Sequence, residues 1–166
     1  MERIWAPWRS EYVGGEDGTG ECFFCAKAAS GDDRGAHVLW RGKVSFCLLN
    51  RYPYNSGHLM IAPYRHTGDF AGLTSEESAE ILETARRMVQ ALGEAMRPQG
   101  FNIGFNLGKA AGAGVVDHLH LHLVPRWEGD TNFMPVLAST RVMPQSLDEV
   151  FVLLRRALET GDEAGG

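Results

Sequence analysis

A chain of 166 residues allows one domain with a hydrophobic core of its own. Its composition, 44% hydrophobic and 22% charged, excludes a disordered or fibrous protein. The formal net charge of −5, from 16 basic and 21 acidic residues, leaves no basic stripe for a nucleic acid polymer, although a few backbone N–H groups suffice to hold a small anion. No stretch reaches the roughly 20 apolar residues of a membrane helix, and the first residues lack the basic-then-apolar order of a secretory signal. Three cysteines without such a signal point to a reducing compartment, the cytoplasm.

Residues 1–20 combine Trp5, Trp8 and Tyr12 with a glycine-rich run and read as an N-terminal arm and flexible loop. Cys22-Phe-Phe-Cys25 has the spacing of half a zinc site; the alternative is a pair of reduced thiols. Residues 37–41 and 44–50 are rich in β-formers and are parted by Gly42-Lys43, a hairpin signal. Cys47 alternates with Ser45 and Leu49 and reads as core. A loop follows at 51–57, with Tyr52 and Tyr54 as anchors, then a short apolar strand at 58–63. Thr74-x-x-Glu77 is a capping box. It opens a helix in which Ile81, Leu82, Ala85, Met88, Val89, Leu92 and Met96 recur at helical spacing, and Pro98-Gln-Gly100 ends it. Strands at 101–107 and 118–124 flank the glycine-rich loop 108–114. A last amphipathic helix over 146–159 starts at Ser146, with a capping pattern to Glu149, and gathers Leu147, Val150, Phe151, Leu154 and Leu158 on one side. Strands, helix, strands, helix, without repeats or regular βα alternation, predict a single α+β domain over 1–166 with an antiparallel sheet.

The most informative segment is His118-Leu-His120-Leu-His122-Leu-Val-Pro. On a strand, alternate side chains share a face, so the three histidines line one side about 6.6 Å apart and the leucines the other. Imidazoles need polar partners and build a poor core, which favours a functional row. Two chemistries suit it. Histidines at i and i+2 chelate zinc. Equally, one imidazole, largely neutral near neutral pH, attacks phosphorus while its neighbours orient it or protonate the departing oxygen. The loop 108–114 offers N–H groups to phosphate oxygens, although it lacks the Gly-Lys-Ser/Thr of a P-loop.

HLHLHLV resembles the signature of the histidine-triad (HIT) family of nucleotide hydrolases and transferases. The likeness extends to LLNRYPYNSGHLMIAPYRH and GFNIGFNLGKAAGAGVVD and, with CFFC, covers most of residues 22–133. The resemblance implies a five-stranded antiparallel sheet with one long helix and a C-terminal helix, usually as a homodimer. It implies that His120 attacks the α-phosphorus to form a nucleotidyl-histidine and that His122 supports the phosphate or leaving group. Asn50 would hold the ribose hydroxyls, and Asn106 would sit beside the phosphates. LNRYPYNSGHLMIAPYR and HLHLHLVPRWEGDTNF resemble bacterial diadenosine tetraphosphate phosphorylase-like members, which implies a dinucleoside polyphosphate substrate and inorganic phosphate as acceptor. His122 in the last motif position also suits water, so a hydrolase of adenylyl conjugates such as phosphoramidates is an alternative. A non-catalytic nucleotide-binding module and a metallohydrolase with zinc on the histidine strand are further ones.

Many family members carry Gln and Ser before the triad. Gly114-Val-Val-Asp117 has neither, so Lys109 and the backbone near Gly114 are expected to take their place. The resemblance also completes the cysteine pair with His66 and His118 as a structural zinc site, leaving His120 for chemistry, with Mg²⁺ accompanying a polyphosphate substrate. Trp127 fills either a subunit interface or a base pocket, and Arg65 and Arg126 read as solvated charges.

Overall fold

The computed structural model describes residues 21–130 and 145–164. The arm with Trp5, Trp8 and Tyr12, and residues 131–133 of the expected core region, lie outside them. Five strands form one antiparallel sheet: β1 (Val38–Arg41), β2 (Ser45–Leu49), β3 (Leu59–Pro63), β4 (Gly100–Phe105) and β5 (Leu121–Arg126). Their spatial order is β1-β2-β3-β5-β4, so the triad strand β5 is interior, between β3 and the edge strand β4.

Alternation assigns the two faces. Cys47, Leu49, Leu59, Ile61, Leu121 and Leu123 point to one side, where the long helix α3 (Ser75–Met96) and the C-terminal helix α4 (Leu147–Ala164) cover them with Ile81, Met88, Leu92, Val150, Leu154 and Leu158. All of these are buried, and truncating one of the leucines to alanine costs about 2–5 kcal/mol. Phe46, Leu48, Met60 and Ala62 point the other way, together with Val38 and Phe24. Because Met60 pairs with His122 across the β3–β5 register, the triad belongs to this second face.

Helix α3 begins as expected. Thr74 Oγ1 accepts the Glu77 N–H at 3.1 Å, and the Glu77 carboxylate accepts the Thr74 N–H at 2.8 Å. Glu80, one turn on, accepts the N–H groups of Lys43, Val44 and Ser45 and the Ser45 hydroxyl, tying the β1–β2 hairpin to the helix.

Five expectations are corrected. Two short helices, α1 (Phe23–Ala29) and α2 (Asp33–Ala36), fill the region before β1. A seven-residue helix has little stability alone; α1 is held because Phe24 is buried and Arg41 donates to the carbonyls of Lys27, Ala28 and Ser30. His37 closes α2 with a left-handed φ of 55°, so β1 starts one residue later than expected. Strand β4 stops at Phe105 rather than Leu107. Strand β5 starts at Leu121, so His118 and His120 precede it: Leu119 N–H bonds to Thr67 O at 2.7 Å instead of to a neighbouring strand. Finally, Arg65 and Arg126 are paired rather than free charges: each forms an ion pair, Arg65 with the buried Glu77 and Arg126 with the partly buried Asp130.

Candidate active site

Four imidazoles meet where β3 and β5 run side by side. His120 is 4% exposed, with its Nδ1 2.9 Å from the carbonyl oxygen of His118. A carbonyl only accepts, so Nδ1 carries the proton and Nε2 keeps its lone pair. Burial pushes the His120 pKa down while that hydrogen bond pushes it back up, the net direction being down. The ring therefore favours its neutral form, with an unprotonated Nε2 able to act as a nucleophile.

His122, the triad member within the strand, lies beside it, with ring centroids 4.8 Å apart. Its Nδ1 is 2.9 Å from Nε2 of His58, a residue with no exposed surface. At the far side of the His58 ring, Nδ1 meets the backbone N–H of Tyr54 at 3.0 Å and the Asn50 amide nitrogen at 3.3 Å. Both partners donate, so His58 Nδ1 accepts, its Nε2–H donates to His122 Nδ1, and the His122 proton sits on Nε2. The turn following β2 builds this chain: Asn50 N–H bonds to His58 O, and Asn50 Oδ1 accepts the Tyr52 N–H at 2.9 Å. Asn50 is 1% exposed, with its amide committed to His58 and the turn. Tyr54, expected as a loop anchor, also lies tilted against His58 and stacks on His122.

Asn106 comes into the same group: its amide nitrogen lies 3.5 Å from His122 Nε2 and 3.5 Å from the Gly112 carbonyl. The loop turns on Gly108 and Gly112, both at positive φ (78° and 89°), a conformation that favours glycine. Lys109 stands exposed on the single turn Lys109–Ala111, and Gly114 is half-buried on the approach to His118.

On the other flank of His120, Cys22, Cys25, His66 and His118 converge, with one donor atom from each lying within 4.8 Å of the others. Cys22 Sγ and Cys25 Sγ are 3.3 and 3.6 Å from His118 Nδ1, and Cys25 Sγ is 3.4 Å from His66 Nδ1. A tetrahedral zinc, with Zn–S of about 2.3 Å and Zn–N of about 2.0 Å, would separate sulfur from nitrogen by about 3.6 Å. His118 donates Nε2–H to Pro63 O at 2.9 Å, leaving Nδ1 unprotonated toward the sulfurs. Burial pushes the Cys25 thiol pKa up, and the neighbouring Cys22 adds to it, a disfavoured ionisation that a bound cation would relieve. Two cysteine sulfurs and two imidazole nitrogens, converging this closely, fit zinc. Cys47, in contrast, is fully buried in the other face.

The five histidines and two cysteines thus divide into two groups that join at the His118–Leu119–His120 backbone. The profile of the HIT domain matches residues 33–129. The chain belongs to the HIT domain family. Among relatives of this HIT protein, the AP-4-A phosphorylase of Mycobacterium tuberculosis is 38% identical, over 93% of this chain and 83% of its own. The bis(5'-nucleosyl)-tetraphosphatase [asymmetrical] of Schizosaccharomyces pombe is 30% identical over 58% of this chain and 52% of its own. Among solved structures, a Zn-bound histidine triad family protein from Mycobacterium smegmatis superposes with a TM-score of 0.70 at 32% identity, covering 87% of this chain and 97% of that one. Its sheet and helices match the antiparallel architecture described above.

His58 and Phe24 are the residues that sequence reasoning missed. The signal for His58 was available: it directly precedes the strand that pairs with β5, in a turn closed by Asn50.

Proposed function

We propose that this HIT protein transfers a nucleoside monophosphate from a dinucleoside polyphosphate, preferably diadenosine tetraphosphate, onto His120 and then to inorganic phosphate. The observation that carries the reading is the bond from His120 Nδ1–H to the His118 carbonyl, which leaves Nε2 as the attacking atom in a buried, neutral ring. In the first step the Nε2 lone pair forms a bond to the α-phosphorus, and the bond to the polyphosphate oxygen breaks. His122 Nε2–H is the donor for that departing oxygen, with His58 holding the tautomer. The imidazole becomes positively charged, and the Nδ1–H···O=C bond strengthens with it. In the second step an oxygen of inorganic phosphate attacks, its proton passing to His122 Nε2, the P–N bond breaks, and both rings are restored. Diadenosine tetraphosphate then yields ATP and ADP.

The relative called AP-4-A phosphorylase favours phosphate as acceptor, and the tetraphosphatase favours water. Asn106, Lys109 and the backbone near Gly114 are assigned to the phosphates and Mg²⁺ to the substrate's own charges, while Asn50, whose buried amide is held by His58 and the Tyr52 N–H, is assigned to shaping the turn rather than to touching the ribose. Cys22, Cys25, His66 and His118 would hold a structural zinc; the Zn-bound neighbour and the four-donor geometry support it. The edge position of β4 and the half-exposed Ile103 on it suit a homodimer, and reduced thiols suit the cytoplasm.

Product analysis of diadenosine tetraphosphate with and without phosphate tests this reading. ADP that forms only with phosphate supports the phosphorylase, and indifference to phosphate replaces it with a hydrolase. Labelled AMP should be trapped on the wild-type protein and lost in His120→Asn. Trapping that survives this change would remove His120 from the role.

A further inference from the structure

Phe24 falls between the two cluster cysteines in sequence, and its ring lies against both His118 and His120. The ring centroids are 5.1 Å from His118 and 4.6 Å from His120, at interplanar angles of 37° and 32°. Phe24 is 1% exposed and has no polar atom, so its contribution is shape and position. We propose that Phe24 is a positioning residue that seats the His120 imidazole and conveys to it the state of the Cys22–Cys25–His66–His118 cluster. The inference rests on reading His120 as the nucleophile and the cluster as a zinc site.

The mechanical argument begins with α1. Its last turn is fixed by Arg41, which donates to the carbonyls of Lys27, Ala28 and Ser30. Its first turn has no such arginine: Cys22 occupies the N-cap position without a side-chain capping bond, and the thiols of Cys22 and Cys25 tie the turn to His118 and His66 of the cluster. A cation bound by both Cys22 and Cys25 would fasten that turn, and Phe24 is the residue such a clamp would hold most tightly. Besides the His122 ring, two contacts that orient His120 lead back to the same cluster. One is the Phe24 ring. The other is the carbonyl of His118, whose own imidazole is a cluster member. With the clamp open, both contacts loosen, and the terminal torsion of the imidazole, broad by nature, is no longer confined. Near-attack geometry tolerates little of this: a displacement of about 1 Å costs about a hundredfold in rate.

The experiment uses the full-length holoprotein, Phe24→Leu and, as a second volume-conserving variant, Phe24→Met. Single-turnover formation of adenylyl-His120 from labelled diadenosine tetraphosphate gives the rate. A chromogenic chelator gives zinc content, and ¹⁵N spectra of histidine-labelled protein report the His120 imidazole. Stripping zinc from the wild type should slow adenylylation about tenfold or more and move the His120 signals; the variants should be slowed comparably with zinc still bound, KM changing less than about twofold. Stripping zinc from the variants should then cost little further. Variants that react at the wild-type rate, or that lose as much on stripping as the wild type does, overturn the proposal. Should neither variant fold, the wild-type spectrum decides alone: His120 signals unmoved by zinc removal refute the coupling. Adenylylation surviving in His120→Asn, or wild-type protein that binds no zinc, removes the underlying reading instead.

Discussion

Replacing Glu77 by glutamine should cost stability in a pH-dependent way, because one buried carboxylate joins α3 to the segment that carries His66. Arg65 donates to Glu77 through Nε at 2.9 Å and Nη2 at 2.8 Å, and the Thr74 N–H adds a third bond at 2.8 Å. These bonds, led by Arg65, hold the Glu77 carboxyl down at about 2 despite its burial. The gap from the ordinary value of 4.5 corresponds to about 3 kcal/mol at about 1.4 kcal/mol per pH unit. Arg65 is 46% exposed on its side chain, so solvent screening reduces the contribution to about 1–2 kcal/mol. Since the folded-state value lies below the unfolded one, the stabilisation is complete above about pH 4.5 and fades as pH falls toward about 2. Urea unfolding of wild type and Glu77→Gln at pH 7 and pH 3 should show a gap that shrinks on acidification. At pH 7 the melting temperature should differ by about 3–6 °C. A gap below about 0.5 kcal/mol at pH 7, or one that persists unchanged at pH 3, would refute this account of the pair.

Two further outcomes follow from the site. His58→Ala should lower kcat about tenfold or more while leaving KM nearly unchanged, because it frees the His122 tautomer without touching nucleotide; steady-state kinetics with a matched circular dichroism spectrum checks it, and an unchanged kcat removes His58 from the mechanism. Gly68→Ala should disturb the chain entering the triad, since its Cβ would lie 2.4 Å from Val116 O, a backbone atom that cannot swing aside. A loss of about 1–3 kcal/mol by denaturant unfolding is expected, and wild-type stability would contradict the tight approach.

What the sequence made legible was what depends on local rules. The α3 start is written in Thr74 and Glu77, its buried face in the spacing of Ile81, Met88 and Leu92, and the two sheet faces in the alternation of β2, β3 and β5. The four cluster residues came from family likeness, and the structure brings all four together. What escaped depends on long-range contacts. Helix α1 is too short to announce itself and exists through Arg41 and the burial of Phe24. The His58–His122 bond joins residues 64 positions apart, which only strand pairing reveals. The late start of β5 reflects Thr67, on another segment, taking the Leu119 N–H. His37 at positive φ likewise answers to the docking of α2 and to Asp148 on α4, rather than to its own propensity.

The unequal covering of the sheet has a practical reach. Beneath it, two long helices supply most of the apolar packing; above it sit a seven-residue helix and a row of imidazoles. Durability and reactivity are therefore housed on opposite sides of the same five strands. Anyone redesigning the molecule to withstand heat can work from below, and anyone altering what it accepts can work from above, with few residues common to both tasks.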